Sequence, residues 1–65
     1  MTDEELIKQT RAELERRGLA FGDFWQIVRY PCSSTTVWFW GDPPGGPNYS
    51  AEFNEKEGKL LWLNA

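Results

Sequence analysis

The stretch that decides the fold is Thr35-Thr36-Val37-Trp38-Phe39-Trp40, six consecutive residues that favour β-strands. Successive side chains of a strand point to opposite faces, so Val37 and Phe39 lie on one face and Trp38 and Trp40 on the other. Both faces are therefore apolar, which is typical of a central strand that is covered on both sides. The pattern predicts a strand at 35–40 in the middle of a sheet.

The rest of the chain is too short to cover both faces of such a sheet. It has 65 residues, and a domain of this size buries only about 60% of the surface that its unfolded chain exposes. With one cysteine and no histidine, neither an internal disulfide nor a structural zinc site is expected. One domain spanning 1–65 is therefore expected to be stabilised by self-association or by burial of bulky aromatic residues, for which its four Trp, four Phe and two Tyr are suited.

The segments around this strand predict one helix and three further strands. A helix is predicted over 2–17, because Thr2 and Glu5 form a capping-box pattern and Gly18 suits the left-handed residue that closes a helix. Runs of β-favouring residues bounded by turns that contain Pro or Gly predict strands at about 24–30, 48–54 and 59–63. We therefore predict an α+β fold in which the N-terminal helix packs on a four-stranded antiparallel β-meander.

Alternation along the strands assigns the two faces of the sheet. It places the core that faces the helix at Val37, Phe39, Tyr49, Phe53, Leu61 and Leu63. The opposite face then carries an exposed aromatic patch of Trp38, Trp40, Leu60 and Trp62. In the first strand, alternation separates Trp25 and Ile27 from Phe24 and Val28. The alternative is the reversed register, in which the tryptophans are buried beneath the helix.

The last third of the chain has a sequence pattern of its own. A Tyr-x-Ala-x-Phe strand is followed by a hairpin that contains Gly-Lys-Leu-Leu, and the residues concerned are Tyr49, Ala51, Phe53, Asn54, Gly58, Lys59, Leu60 and Leu61. This pattern resembles that of small PepSY-like and cystatin-like domains, in which an antiparallel sheet cradles a helix. The resemblance implies protein binding without chemistry, as in propeptides, inhibitors and immunity proteins. The chain departs from the pattern in carrying more tryptophan, at Trp38, Trp40 and Trp62.

We expect no catalytic site, no cofactor and no metal ion. The chain has no histidine, which excludes Ser–His and Cys–His nucleophilic pairs, and Cys32 lies in a predicted turn without a base. The acidic residues fall in turns or on polar faces, whereas general acid–base work needs two carboxylates in a shared cleft. In 54–58, Lys56 occupies a position where a calcium loop needs an acid.

The charge balance indicates the kind of partner. Net charge is −3, and the seven basic residues form no run, so nucleic acid is not an expected partner. A short acidic protein is suited to a protein target with a basic surface. No apolar segment is long enough to span a bilayer and 1–5 lacks a signal-peptide pattern, so the sequence predicts a cytoplasmic protein without a membrane partner.

Two further features complete the predicted binding surface. The loop between the second and third strands contains Asp42, Pro43 and Pro44, and it is either an ordinary connection or a semi-rigid finger that inserts into a partner. Glu52 on the third strand adds to an acidic rim. We therefore predict a small non-enzymatic inhibitor, immunity protein, antitoxin or phage anti-defence protein that occludes a target. The alternatives are a structural, self-associating homodimeric domain and a designed mini-protein without biological function.

Overall fold

The structure is a computed structural model that describes residues 1–43 and 45–64. Within them the chain forms one helix and four strands: α1 (Asp3–Arg16), β1 (Phe21–Arg29), β2 (Ser34–Gly41), β3 (Tyr49–Asn54) and β4 (Lys59–Asn64). The strands pair antiparallel in the order β1-β2-β3-β4, and α1 packs on one face of the sheet. This is the predicted α+β architecture. Among the described residues, no helix combines the length and apolar character that crossing a bilayer requires.

Both ends of α1 are set by the local signals that predicted them. The Glu5 N–H donates to the Thr2 hydroxyl oxygen at 3.1 Å, and the Thr2 N–H donates to the Glu5 carboxylate at 2.9 Å, which completes a capping box. At the other end Gly18 has a φ of +70°, and the Leu19 N–H donates to the Leu14 carbonyl at 3.1 Å. This is the Schellman closure that a glycine at this position favours.

The helix and one face of the sheet form the core. The buried residues of α1 are Leu6, Thr10 and Leu14, which recur every four residues and so share one side of the helix. The hydroxyl of Thr10 donates to the Leu6 carbonyl at 2.8 Å, so its burial leaves no polar atom unpaired. The buried apolar side chains of the sheet lie beneath this side, at Val37, Phe39, Ala51, Phe53 and Leu63.

Strand β1 differs most from its predicted bounds. It begins at Phe21, three residues before the predicted start, and its pairing with β2 shifts register between Phe21 and Phe24 and again between Phe24 and Gln26. A bulge adds a residue to one strand and so reverses the faces beyond it. As a result Phe24 and Ile27 both pack against the core, and the prediction that they lie on opposite faces is wrong.

A polar cluster joins the N-terminus of α1 to the sheet. The guanidinium of Arg29 contacts the carboxylate of Asp3 at 2.6 Å and that of Glu55 at 3.0 Å. Glu55 also accepts a hydrogen bond from the hydroxyl of buried Thr35, and the Met1 ammonium lies 3.3 Å from its carboxylate. The Thr35 hydrogen bond is the main cause that lowers the pKa of Glu55, and the Met1 ammonium and Arg29 act in the same direction.

Candidate functional site

None of the described helices covers the face of the sheet opposite α1, which we call the open face. Two rows of paired side chains cross it from β2 to β4: Thr36, Glu52 and Trp62 in one row, and Trp38, Ser50 and Asn64 in the next. These rows alternate with the core rows beneath α1. The prediction that Trp38, Trp40 and Trp62 face away from the helix is therefore confirmed, and the reversed register is wrong.

Three indole rings on β1 and β2 contact one another on the open face, and we call Trp25, Trp38 and Trp40 the tryptophan cluster. Trp25 stacks on Trp40 with ring centroids 4.2 Å apart and planes inclined by 19°. Its ring also meets Trp38 edge to face at 5.6 Å. Such pairs each stabilise by about 0.5–1.5 kcal/mol beyond area burial, so the rings hold one another in place. Trp25 and Trp40 nevertheless remain 40% and 43% exposed.

Trp25 is the member of the cluster that the sequence analysis missed. Alternation grouped it with Ile27, whereas the register shift between Phe24 and Gln26 moves Trp25 to the open face and leaves Ile27 in the core. The sequence does contain a signal of this irregularity. Gly22 lies inside the observed strand, and an isolated glycine in a strand often marks a bulge. The predicted strand at 24–30 begins after Gly22 and therefore leaves this signal out.

A third register shift, in the pairing of β3 with β4, changes the predicted surface of β4. It lies between Glu52 and Phe53, so that Leu60 pairs with Phe53 and packs against the core. Leu61 becomes 46% exposed, while Trp62 stays on the open face and is 54% exposed. The predicted positions of Leu60 on the open face and Leu61 in the core are therefore wrong, because a bulge interrupts the alternation on which they rested.

A polar stripe on β2 and β3 separates the tryptophan cluster from Trp62. The Thr36 hydroxyl donates to the carboxylate of half-buried Glu52 at 2.5 Å. In the next row the Asn64 side-chain amide donates to the Ser50 hydroxyl at 3.2 Å. Glu52 thus lies inside the open face, between two apolar areas. The predicted aromatic patch is therefore divided by a hydrogen-bonded stripe into the tryptophan cluster and the separate indole of Trp62.

The loop after β2 folds back against the end of that strand. A Cβ placed on Gly41 would lie 2.0 Å from the carbonyl oxygen of Pro47, so the loop backbone packs directly on Gly41. The Gly41 N–H also donates to the side-chain oxygen of Asn48 at 3.2 Å. Asp42 and Pro43 are exposed, and Pro44 of the predicted finger lies outside the described residues. What the loop forms beside the sheet is a concave wall.

This wall and the start of β1 enclose an open pocket of about 350 Å³ at the Trp40 end of the cluster. We call it the end pocket, and its lining residues are Gly22, Asp23, Trp40, Gly41, Asp42, Gly45 and Asn48. In the part of the chain that the structure describes, no group of three or more His, Cys, Asp or Glu side chains is arranged to hold a metal ion. The groups that a ligand would meet on the open face and in the end pocket are therefore aromatic rings and carboxylates.

Comparisons of the chain with models of protein families, with curated proteins and with solved structures find no match. The resemblance to PepSY-like and cystatin-like domains therefore stays a prediction from the sequence.

Proposed function

We propose that this protein is a small binding module that occludes a target protein with the open face of its sheet, in the manner of an inhibitor, immunity protein, antitoxin or anti-defence protein. The observation that carries the proposal is the tryptophan cluster. Its rings are held by mutual contacts, and Trp25 and Trp40 remain substantially exposed on the side of the sheet away from the core, while Trp38 is half-buried. Tryptophan is among the residues in which interfaces concentrate their binding energy.

The size of the molecule supports occlusion as its mode of action. Its accessible surface is 4248 Å², and a standard protein–protein interface takes about 800 Å² from each partner, roughly a fifth of that surface. A four-stranded face of so small a protein supplies such an area only if most of the face is used. The tryptophan cluster, the polar stripe and Trp62 would then all contact the target.

The distribution of charge supports a basic partner over a second copy of this chain. Four of the seven basic residues lie on α1 or at its C-cap, Arg29 pairs with Asp3, and the remaining two lie on the β3–β4 hairpin. Glu52 lies on the open face, and Asp23 and Asp42 line the end pocket. The net charge of −3 repels an identical chain and attracts a basic surface.

The proposal includes a cytoplasmic setting. Cys32 is an exposed free thiol in the β1–β2 turn. Exposed thiols persist where the compartment keeps them reduced, as the cytosol does.

The test is affinity capture followed by titration of the purified partner. The double variant Trp40→Ala/Trp62→Ala should lose the protein that the wild type captures from the native lysate. In titration with the purified partner, the loss should be at least about 30-fold in Kd, which corresponds to 2 kcal/mol. Tyr30→Ala is the matched control. Tyr30 is an exposed aromatic residue (51%) directly after β1, at the end of that strand far from the end pocket.

Two outcomes would contradict the proposal. One is a partner that binds the double variant as tightly as it binds the wild type. The other is a wild-type homodimer in light scattering at micromolar concentration that the double variant converts to a monomer. The second outcome would support the self-associating alternative.

A further inference from the structure

We propose that the end pocket receives an arginine side chain of the partner protein. This inference rests on the proposed function, because it names the group that the binding surface takes from its target. It concerns a feature distinct from the flat open face, namely the recess formed where the loop after β2 meets the start of β1.

The shape of the end pocket suits one long side chain. Its volume of about 350 Å³ is near the lower limit of small-molecule sites, which run from about 300 to 1,000 Å³. Gly45 has no side chain, and a Cβ there would meet nothing within 4 Å, so a ligand can approach the backbone at this point of the lining. The base is tight, since a Cβ on Gly22 would lie 3.2 Å from the Gly41 carbonyl and 3.5 Å from the Trp40 Cβ.

The charges that line the end pocket select a cation. Asp23 and Asp42 both contribute to the lining, and both are exposed. Neither takes part in the ion pairs formed among the described residues, which involve Asp3, Glu13 and Glu55 instead. None of the lining residues is basic. The two carboxylates therefore have no cation of this chain in the pocket to neutralise them.

Trp40 adds the reason for arginine in particular. Trp25 stacks on one face of its indole and so fixes the ring, and Trp40 lines the pocket and stays 43% exposed. A guanidinium is planar, stacks on aromatic rings and donates up to five N–H groups, which two carboxylates can accept. A lysine ammonium is more strongly hydrated and has no plane to stack, so its transfer from water into the pocket costs more than that of a guanidinium.

The experiment uses N-acetyl-arginine amide as the probe and ¹H–¹⁵N spectra of the full chain as the readout. We expect saturable shifts of the Trp40 indole N–H and the Gly41 amide at millimolar probe concentration. N-acetyl-citrulline amide, which replaces the guanidinium by a neutral urea of the same shape, should bind at least about tenfold more weakly, as should N-acetyl-lysine amide.

Asp42→Asn should lower the affinity for the arginine probe by about fivefold or more. Asp23→Asn repeats the test if the first variant does not fold. Glu57→Gln is the matched control: it removes the same charge from the β3–β4 turn, which lies at the far end of β3 from Asn48. This control should change the affinity by less than about twofold.

Three outcomes would overturn the inference. The first is the absence of a saturable shift of the Trp40 indole N–H. The second is an affinity for the citrulline or lysine probe equal to that for the arginine probe. The third is an equal loss of affinity for the arginine probe in Glu57→Gln and Asp42→Asn. Because the probe needs no partner, its failure is distinct from failure of the proposed function. If the probe fails while Trp40→Ala/Trp62→Ala still loses the partner, only the assignment of the pocket is wrong. If the probe binds as expected but Trp40→Ala/Trp62→Ala keeps the partner, the open face is not the interface, while the preference of the pocket for a guanidinium still holds.

Discussion

At the scale of single residues, Gly41 shows how one missing side chain shapes the candidate site. It ends β2, its N–H is held by Asn48, and the carbonyl of Pro47 occupies the space that a Cβ would need. Any other residue at 41 forces the loop away from the strand. The wall of the end pocket therefore depends on glycine at this position.

Gly41→Ala should destabilise the protein by about 1–3 kcal/mol, because the backbone of Pro47 must move to admit the methyl group. The measurement is a urea titration that gives the free energy of unfolding. Gly46→Ala is the control from the same loop, since among the described residues a Cβ there meets only the Pro43 carbonyl, at 3.2 Å, and should cost clearly less stability. Equal midpoints for Gly41→Ala and wild type would show that the loop does not pack on the strand.

At the scale of elements, Glu55 holds the helix and the strands together at one end. Its carboxylate, in the turn between β3 and β4, contacts Arg29 of β1 and Thr35 of β2, and Arg29 in turn contacts Asp3 of α1. The same hydrogen bonds and charges lower the pKa of Glu55 below its usual value near 4.5. Its contribution to stability must therefore depend on pH.

The sign of that dependence follows from the direction of the shift. The pKa of Glu55 is lower in the folded than in the unfolded protein, so its ionised carboxylate stabilises the fold. This stabilisation is complete above about pH 4.5 and is lost as the pH falls through the pKa of Glu55 in the folded protein. Glu13 acts in the same direction on the surface of α1, where hydrogen bonds from Arg16 and then Arg17 lower its pKa to about 2. We expect the free energy of unfolding to fall between about pH 4.5 and pH 2.

Glu55→Gln should lower stability at pH 7 by about 1–2 kcal/mol and flatten the acid limb of this curve. Thermal melts at several pH values measure both effects. Glu57→Gln, which removes an acid of the same turn that makes none of the ion pairs among the described residues, is the control and should keep the wild-type curve. An unchanged acid limb in Glu55→Gln would mean that the polar cluster does not couple α1 to the sheet.

The two edge strands share a further property. Both β1 and β4 contain register shifts relative to their neighbours, and Lys59 lies at the start of β4. Bulges and charged residues on an edge interfere with the pairing of another strand along it. Edge-to-edge dimerisation is therefore disfavoured, and the open face is the better candidate for binding.

At the scale of the whole molecule, the sheet divides the protein into a face that stabilises the fold and a face available for binding. Phe39 and Phe53 are fully buried on the first, and Trp40 and Trp62 are substantially exposed on the second. Mutations on the two faces should therefore separate stability from function.

Phe53→Ala should lower the free energy of unfolding by about 3–5 kcal/mol, which is enough to leave a large fraction of the molecules of so small a domain unfolded. Trp62→Ala should stay within about 1 kcal/mol of wild type, because exposed residues away from special features contribute little. Trp40→Ala should lower the free energy of unfolding by about 0.5–1.5 kcal/mol, because it removes the stacking of Trp40 on Trp25. Urea titrations followed by circular dichroism check all three, and a Trp62→Ala cost equal to that of Phe53→Ala would contradict the division of faces.

The sequence by itself determined the features that depend on neighbours along the chain. The capping box of Thr2 and Glu5, the closure at Gly18 and the alternation within β2 each involve residues at most five positions apart. Their energetics are local, so the helix bounds and the grouping of Trp38 and Trp40 on the face opposite Val37 and Phe39 could be predicted without the fold. Which of these two faces lies under α1 was decided by the tertiary structure.

Only the tertiary structure decided the positions of Trp25, Leu60 and Leu61, and the existence of the end pocket. A bulge is a relation between two strands, because the extra residue is defined by what it fails to pair with across the sheet. The end pocket likewise needs Gly22 and Gly41, which are 19 positions apart (41 − 22), brought together by β1–β2 pairing, and the loop folded back through Pro47. Such contacts form when long-range packing settles the register, and no periodicity within one strand encodes them.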